Sequence, residues 1–474
     1  MSEIKNVLAS RYASESIRGI FSERGRILTE REFWIAVLRA QRDLGLDIPP
    51  SAIDAYEKVK EDIDLAKIRR RERKLRHDVK ARIEIFCELA GFEHIHMGMT
   101  SRDLTDNVEQ SQVLSALKII RLKSIRVLQL MTLRAREYRD LVMAGRTHNV
   151  PAQPVTFGKR IAMTGQEIML ALQNLESIIE TYPLRGLKGA VGTLLDQMTL
   201  FKGNPEKVRT LEERVARHLG FDRVFNAVGQ VYPRSLDFQV ITALFQLAAG
   251  PANFCKTLRL MAGQGLANEG FSTGQVGSSA MPHKMNTRNS ERVSGLAGIL
   301  KGHVTMAASI SGDQWMEGDV SCSVVRRVVI PDAFFALDGL LETYMTILLE
   351  MNPLRAAISR ELREFLPFLS TTTLLMAAVQ KGQGREKAHE IIRKHATDTV
   401  EDLRENRIPR NDLLERLDRD PDFPLSITEL KNLLKNPRVF AGLAEEQVQN
   451  FDKQVQKWVK KYPQAARIKP GRIL

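Results

Sequence analysis

DNVEQSQVLSALKIIRLKSIRVLQLMTLRAREYR, residues 106–139, is the stretch that decides the fold. Val113, Leu117, Ile120, Val127, Leu130, Met131 and Leu133 keep a bundle-like helical spacing along it. Asp106 reads as the N-cap, with Glu109 three positions on to complete the capping signal. The predicted helix exceeds thirty residues, where roughly 8–20 is usual in a globular protein. A helix of that length needs long partners, and the chain supplies them. Similar patterns occupy residues 157–182, residues 236–261 (interrupted by Gly250 and Pro251), a run from near Ser290 to about Ile310, and residues 331–349 with Pro331 in the first turn. Five long apolar helices in mid-chain define a bundle. Several are apolar around most of their circumference, so association with further copies of the chain is expected through this region.

The flanks are helical too. Residues 29–44 have helical spacing and a Thr29/Glu32 capping box, and Pro49–Pro50 end the pattern. Residues 51–59 and 65–89 read as further helices, and beyond about Leu354 the helices become shorter and more charged. The expectation is an all-α chain of three helical domains: residues 1–105, a central long-helix bundle at 106–353, and residues 354–474. No internal repeat or low-complexity tract is present.

Bulk properties agree with this organisation. A length of 474 residues suits about three domains, and 43% hydrophobic with 27% charged residues excludes wholesale disorder. The first residues carry no apolar run of the signal-peptide kind. The longest apolar stretches, such as residues 240–255, fall short of the ~20 residues of a membrane span. A soluble protein without membrane partners is expected. Cys87, Cys255 and Cys322 are far apart and form no CxxC pair, which leaves no disulfide framework or zinc site and points to a reducing cytoplasm. The net charge of +13 is concentrated at residues 67–76 and in the tail around Lys457, Lys460, Lys461, Lys469 and Arg472. No nucleic-acid-binding motif accompanies it. The charge therefore reads as solvated helix faces, or as a field that draws in a small anionic substrate.

Four polar islands interrupt the helices. The first is Arg76-His77-Asp78-Val79, a His–Asp pair read as lying on a helix. The second is His94-Ile-His96-Met-Gly-Met-Thr100-Ser101, just before the long helix. No carboxylate follows its His-x-His at ligand spacing, so a metal site is not expected. Thr100 and Ser101 suit either capping or anion binding. The third is Gly145-Arg-Thr147-His148-Asn-Val-Pro-Ala-Gln-Pro154, read as a loop in which His148 has an acid–base pKa range. The fourth, residues 274–291, packs Ser278, Ser279, Lys284, Asn286 and Glu291 into a glycine-punctuated run with no apolar period.

Gly277-Ser278-Ser279-x-Met281-Pro282-x-Lys284-x-Asn286 resembles the signature of the fumarase/aspartase superfamily. Residues 145–158 and Gly189-Ala-Val-Gly-Thr193 are similar to two further blocks of its pattern. Within the superfamily, Arg11-Tyr12, Arg76-His77-Asp78-Val79 and Lys381-Gly382 with Arg385 are similar to the adenylosuccinate lyase family. The resemblance implies a homotetrameric all-helical lyase in which each active site borrows loops from three subunits. It implies elimination of fumarate from adenylosuccinate to give AMP, and cleavage of the succinyl carboxamide ribotide of purine synthesis. The alternative is another superfamily lyase or a cycloisomerase. No metal or organic cofactor is implied. By family position Ser278 is the base, His148 the general acid, Lys284 the stabiliser of the aci-carboxylate with Asn286 in support, and Glu291 the partner of a histidine. His77, Asp78, His96, Thr100, Ser101, Thr147, Gln230, Ser279, Ser323 and Arg327, with Arg11 and Tyr12, complete the implied substrate pocket. The chemistry asks for such residues independently: cleaving a C–N bond β to a carboxylate needs a base, an acid and cations. Two departures stand out. Where the family pattern has an arginine after Trp-x-Glu, this chain has Gly318, and its Arg-Asn-Pro is here Met285-Asn286-Thr287.

Overall fold

The computed structural model describes residues 4–270, 281 and 283–471; Ser278 and Ser279 lie outside them. Six helices come first: α1 (Val7–Arg11), α2 (Glu15–Phe21), α3 (Glu23–Asp43), α4 (Pro50–Val59), α5 (Leu65–Leu75) and α6 (Asp78–Ala90). The bundle follows as α7 (Ser101–Glu137), a hairpin of β1 (Val142–Thr147) and β2 (Val150–Thr156), and α8 (Phe157–Thr181). Two short helices, α9 (Leu195–Leu200) and α10 (Pro205–His218), separate it from α11 (Ser235–Gly263). The strand β3 (Ala267–Asn268), α12 (Arg288–Ile310), α13 (Cys322–Glu350) and the strand β4 (Asn352–Pro353) complete it. The remainder is α14 (Arg355–Leu369), α15 (Thr371–Gln380), α16 (Arg385–Arg404), α17 (Leu413–Arg419), α18 (Ile427–Leu434) and α19 (Ala444–Lys461). The chain is all-α, as its apolar periodicity requires.

Three large apolar cores organise these elements, with two smaller clusters around Leu366 and around Ile68. The largest joins α7, α8, α11, α12 and α13, and Val448, Phe451 and Val455 of α19 return to it. A second holds Phe33, Trp34, Tyr56 and Phe86 against Leu104 and Val108 of α7 and Leu211 of α10. A third gathers Leu374, Leu413, Leu417 and Leu430. Each fully buried side chain of this kind contributes roughly 1.5–3 kcal/mol. Close helix approach depends on small residues: a Cβ on Gly250 of α11 would stand 2.5 Å from Ile168 Cγ1 of α8.

Several boundaries differ from the sequence expectation, each for a long-range reason. The helix α7 begins at Ser101, with Thr100 as N-cap and Asp103 in the capping box. Asp106 is no cap, because it is a fully buried counter-ion of Arg234. In the same way α3 starts after the N-cap Ser22, and Thr29 sits inside it, its hydroxyl donating to the Gly25 carbonyl. The run 65–89 is two helices, broken where Arg76 adopts φ 51° and His77 caps α6. Pro331 lies inside α13, because Arg326 is pinned in the core by Asp237 and carries the helix back to Cys322. The 145–154 loop is a hairpin, held against α14 by the Arg146–Glu361 ion pair. By length and composition α12 can cross a membrane; less than half of its most apolar window is buried within the chain. Its uncovered Ile299 adds to an exposed apolar set that includes Leu170, Leu133 and Leu260 on other bundle helices.

Candidate active site

The expected site residues fall into two groups at opposite ends of the bundle, with Arg11 and Tyr12 between them. The first group is built on the start of α7. Asp103 Oδ2 accepts the Thr100 N–H at 2.7 Å, while Oδ1 accepts Arg185 Nη1 at 2.6 Å and the Gly189 N–H at 3.0 Å. Arg185, fully buried, donates onward to the Gly189 and Gly229 carbonyls at 3.0 and 3.2 Å. Glycines let these irregular segments stack. A Cβ on Gly192 would lie 2.0 Å from Val228 O, and one on Gly229 would lie 2.1 Å from Glu317 O. The Gln230 N–H donates to the same Glu317 carbonyl at 2.6 Å. One guanidinium thus ties Thr100–Ser101, the 186–193 loop, Gln230 and the 315–319 segment together.

His96 and His77 face this end. His96 adopts φ 65°, and its Nδ1 accepts the indole N–H of Trp34 at 3.1 Å. That bond fixes the neutral tautomer with the proton on Nε2, leaving Nε2 as a donor. Burial pushes the His96 pKa down to about 4; Asp103 opposes the shift, while His77 and Lys80 reinforce it. His77 is exposed and caps α6, with Nδ1 accepting the Lys80 N–H at 3.2 Å. Asp78 binds Arg82 at 3.1 Å, and burial, which would raise its pKa, is outweighed chiefly by that guanidinium, which holds it below the usual range.

Ser323 belongs to the same end. Its Oγ accepts Arg102 Nη2 at 2.9 Å, joining the first turns of α7 and α13. Arg327 lines an adjacent cavity of about 280 Å³ with Arg26, Glu109, Gln112 and Arg326.

The second group occupies the other end. Thr147 pairs with Val150 across a two-residue turn in which His148 has φ 52° and Asn149 φ 64°. Both central residues are left-handed, as a type I′ hairpin turn requires. The turn holds the His148 side chain out at an exposed tip. Glu269, buried, accepts the Asn289 and Ser290 N–H groups at 2.8 and 3.0 Å and so caps α12 beside Glu291. Lys284 and Glu291 are exposed, and Asn286 is half-buried. Arg134, near the end of α7, donates to the Met351 carbonyl beyond α13, so these elements share one end. Among the described residues, no hydrogen bond or ion pair joins Glu291 to His148 within one chain.

Between the ends, Tyr12 packs on α13, its Cβ lying 2.6 Å from where a Cβ of Gly339 would stand. The Ser14 N–H donates to Asp338 at 2.6 Å and anchors the segment. Arg11 is exposed.

The distance between the groups follows from helix geometry. At 1.5 Å per residue, the 37 residues of α7 span about 55 Å. Residues 77, 96, 100, 101, 230, 323 and 327 therefore cannot meet residues 147, 148, 284, 286 and 291 of the same chain. Sequence reading missed the residues that build the first group, Trp34, Arg102, Asp103 and Arg185. Arg102 and Asp103 directly follow Thr100-Ser101, and that adjacency was the available signal.

The long-helix bundle with polar groups gathered at its ends is the setting in which the class of the protein is read. The chain matches the lyase family over residues 11–302 and belongs to it. Residues 367–451 match the family described as adenylosuccinate lyase C-terminus. Adenylosuccinate lyase of Saccharomyces cerevisiae is 37% identical over 94% of this chain and 93% of its own. The Schistosoma mansoni adenylosuccinate lyase is 34% identical over 95% and 94%. Within the lyases, the chain is a member of the adenylosuccinate lyase family. Its fold is shared with a 3-carboxy-cis,cis-muconate lactonizing enzyme from Pseudomonas putida, with a TM-score of 0.81 and 22% identity over 96% of this chain and all of that one. A fumarate lyase from Mesorhizobium sp. BNC1 gives a TM-score of 0.79 at 22% identity over 93% and 98%.

Proposed function

We propose that this chain eliminates fumarate from adenylosuccinate to give AMP, and from the succinyl carboxamide ribotide of purine biosynthesis. The observation that carries the reading is full-length similarity to adenylosuccinate lyases, C-terminal region included. Ser278 removes the carbon proton, His148 protonates the departing nitrogen, and Lys284, with Asn286, neutralises the charge that grows on the carboxylate. Glu291 orients a histidine, and Thr147 and Ser279 line the reacting end. His77, Asp78, His96, Thr100, Ser101, Gln230, Ser323 and Arg327, with Arg11 and Tyr12, hold the phosphate, carboxylates and base. The assignment of His148 is supported by its place at the exposed tip of a hairpin, where a neighbouring chain's site can reach it.

The site is shared between chains of a homotetramer, so that one chain's His77 end meets another's His148 end. The separation along α7 and the uncovered apolar faces of the bundle support this arrangement. The uncovered side of α12 belongs to that interface rather than to a bilayer, and the enzyme works in the cytoplasm. Of the division at 106 and 354 into three domains, the C-terminal unit is supported by its own core, while Val108, Leu211 and α19 pack across the boundaries. Purified protein given adenylosuccinate, argininosuccinate or aspartate and followed by ultraviolet absorbance tests the activity. Adenylosuccinate alone should turn over, and a folded protein that leaves it intact would overturn the reading. Ser278→Ala should abolish turnover with substrate binding largely kept; full activity would remove the serine from the base role.

A further inference from the structure

We propose that Arg102 is a further substrate-binding residue, a cation on the first turn of α7 that grips an anionic oxygen of the substrate beside Ser323. The proposal deepens the reading above and rests on it for the identity of the substrate. Arg102 Nη1 donates to Asp106 Oδ1 at 3.1 Å and Nη2 donates to Ser323 Oγ at 2.9 Å. A guanidinium has five N–H donors in a planar fork suited to phosphate or carboxylate. Here that fork lies beside Thr100 and Ser101, at the N-terminal, electropositive end of a 37-residue helix.

Charge in the surrounding cluster favours an anion. Asp106 is shared between Arg102 and Arg234, which donates to it at 3.0 Å. Arg326 takes Asp237 at 2.7 Å and Glu109. Arg102, Arg234 and Arg326 are thus matched by Asp106, Glu109 and Asp237, and the adjacent cavity adds Arg26 and Arg327 against Glu23, which leaves one positive charge in excess. Arg234 is buried, and its Nη1 has no hydrogen-bond partner. Buried donors without partners are uncommon and call for an acceptor.

The neighbouring segment supplies no side-chain cation of its own. Gly318, five residues before Ser323, has φ 127°, and a Cβ there would lie 3.0 Å from Val231 Cγ2. The cation that the fold sets on Ser323 comes from α7 instead.

The test measures KM and kcat for adenylosuccinate on the full-length protein and on Arg102→Met and Arg102→Lys. It adds calorimetric affinities for AMP, which carries the phosphate, and for fumarate, which carries carboxylates. Loss of a charge-assisted hydrogen bond should raise KM about tenfold or more in Arg102→Met with kcat changed much less, and Arg102→Lys should recover part of it. Weakened AMP binding assigns the phosphate and weakened fumarate binding assigns a carboxylate; either supports the proposal. An Arg102 that only braces α7 would lower the melting temperature while KM and both affinities stay within about twofold, and that result overturns the proposal. Should Arg102→Met not fold, Arg102→Gln keeps a hydrogen bond to Asp106 without the charge and is judged by the same criterion. A wild-type protein that binds neither AMP nor fumarate and leaves adenylosuccinate intact overturns the substrate reading; a wild type that binds them, with affinities unmoved in Arg102→Met, overturns the role of Arg102.

Discussion

Two impaired variants should restore one another when their subunits mix. His148→Ala removes the proposed acid from the hairpin tip, where the side chain is exposed and the fold loses little. His77→Asn removes the histidine at the far end, and Asn keeps the capping role that His77 plays for α6. His148→Ala should lose at least about a hundredfold in turnover, the usual scale for losing a general acid, and His77→Asn, which removes a substrate contact, should lose at least about tenfold in kcat/KM. About 55 Å of α7 separates the two ends, so no single chain completes a site from its own copies. In an assembly formed from equal amounts, each site takes a 77-end from one chain and a 148-end from another. Half of each are intact, and about a quarter of the sites are therefore whole in a closed symmetric assembly. Co-expression with two affinity tags isolates the hybrids, and ultraviolet turnover assays give their activity against the wild type. Hybrids that stay as impaired as the parents would refute the shared site.

Other consequences can be checked on the single chain. Between pH 6.5 and about 4 the unfolded chain protonates His96 while the folded one does not. Stability should therefore fall as pH drops through that window, by up to roughly 3 kcal/mol from this group. Urea titrations across the window should show a shallower slope for His96→Asn, and an unchanged slope would rule His96 out. Arg185 and Asp103 form an ion pair with no exposure on either side, so Arg185→Met should cost about 3–5 kcal/mol. Chemical denaturation should also show that Arg185→Met combined with Asp103→Leu costs less than the sum of the two single changes.

The long helices were legible because their apolar period is local and repeated many times. Their starts were not, because they depend on distant partners. Asp106-x-x-Glu109 and Thr100-x-x-Asp103 have the same capping spacing, and only Arg234, from another helix, decides that Asp106 is a buried counter-ion. The hairpin hid in the sequence for a related reason. Gly145, Pro151 and Pro154 read as loop residues, yet β-pairing tolerates them at a bulge beside Gly145 and in a two-stranded sheet whose strands are both edges. The motif islands could be found from residue type alone. That they divide between the two ends of a bundle could not, since spacing along a chain does not give the direction in which each helix carries it.

Gly318 fixes more than a local turn. With φ at 127° and Val231 3.0 Å from any added Cβ, a single codon change to arginine would meet a strained backbone and a crowded neighbour at once. The segment would have to re-fold before such a side chain could be used. Descendants of this sequence are therefore held to a route that keeps 318 bare, and a cation beside Ser323 has to come from another element, as Arg102 of α7 does.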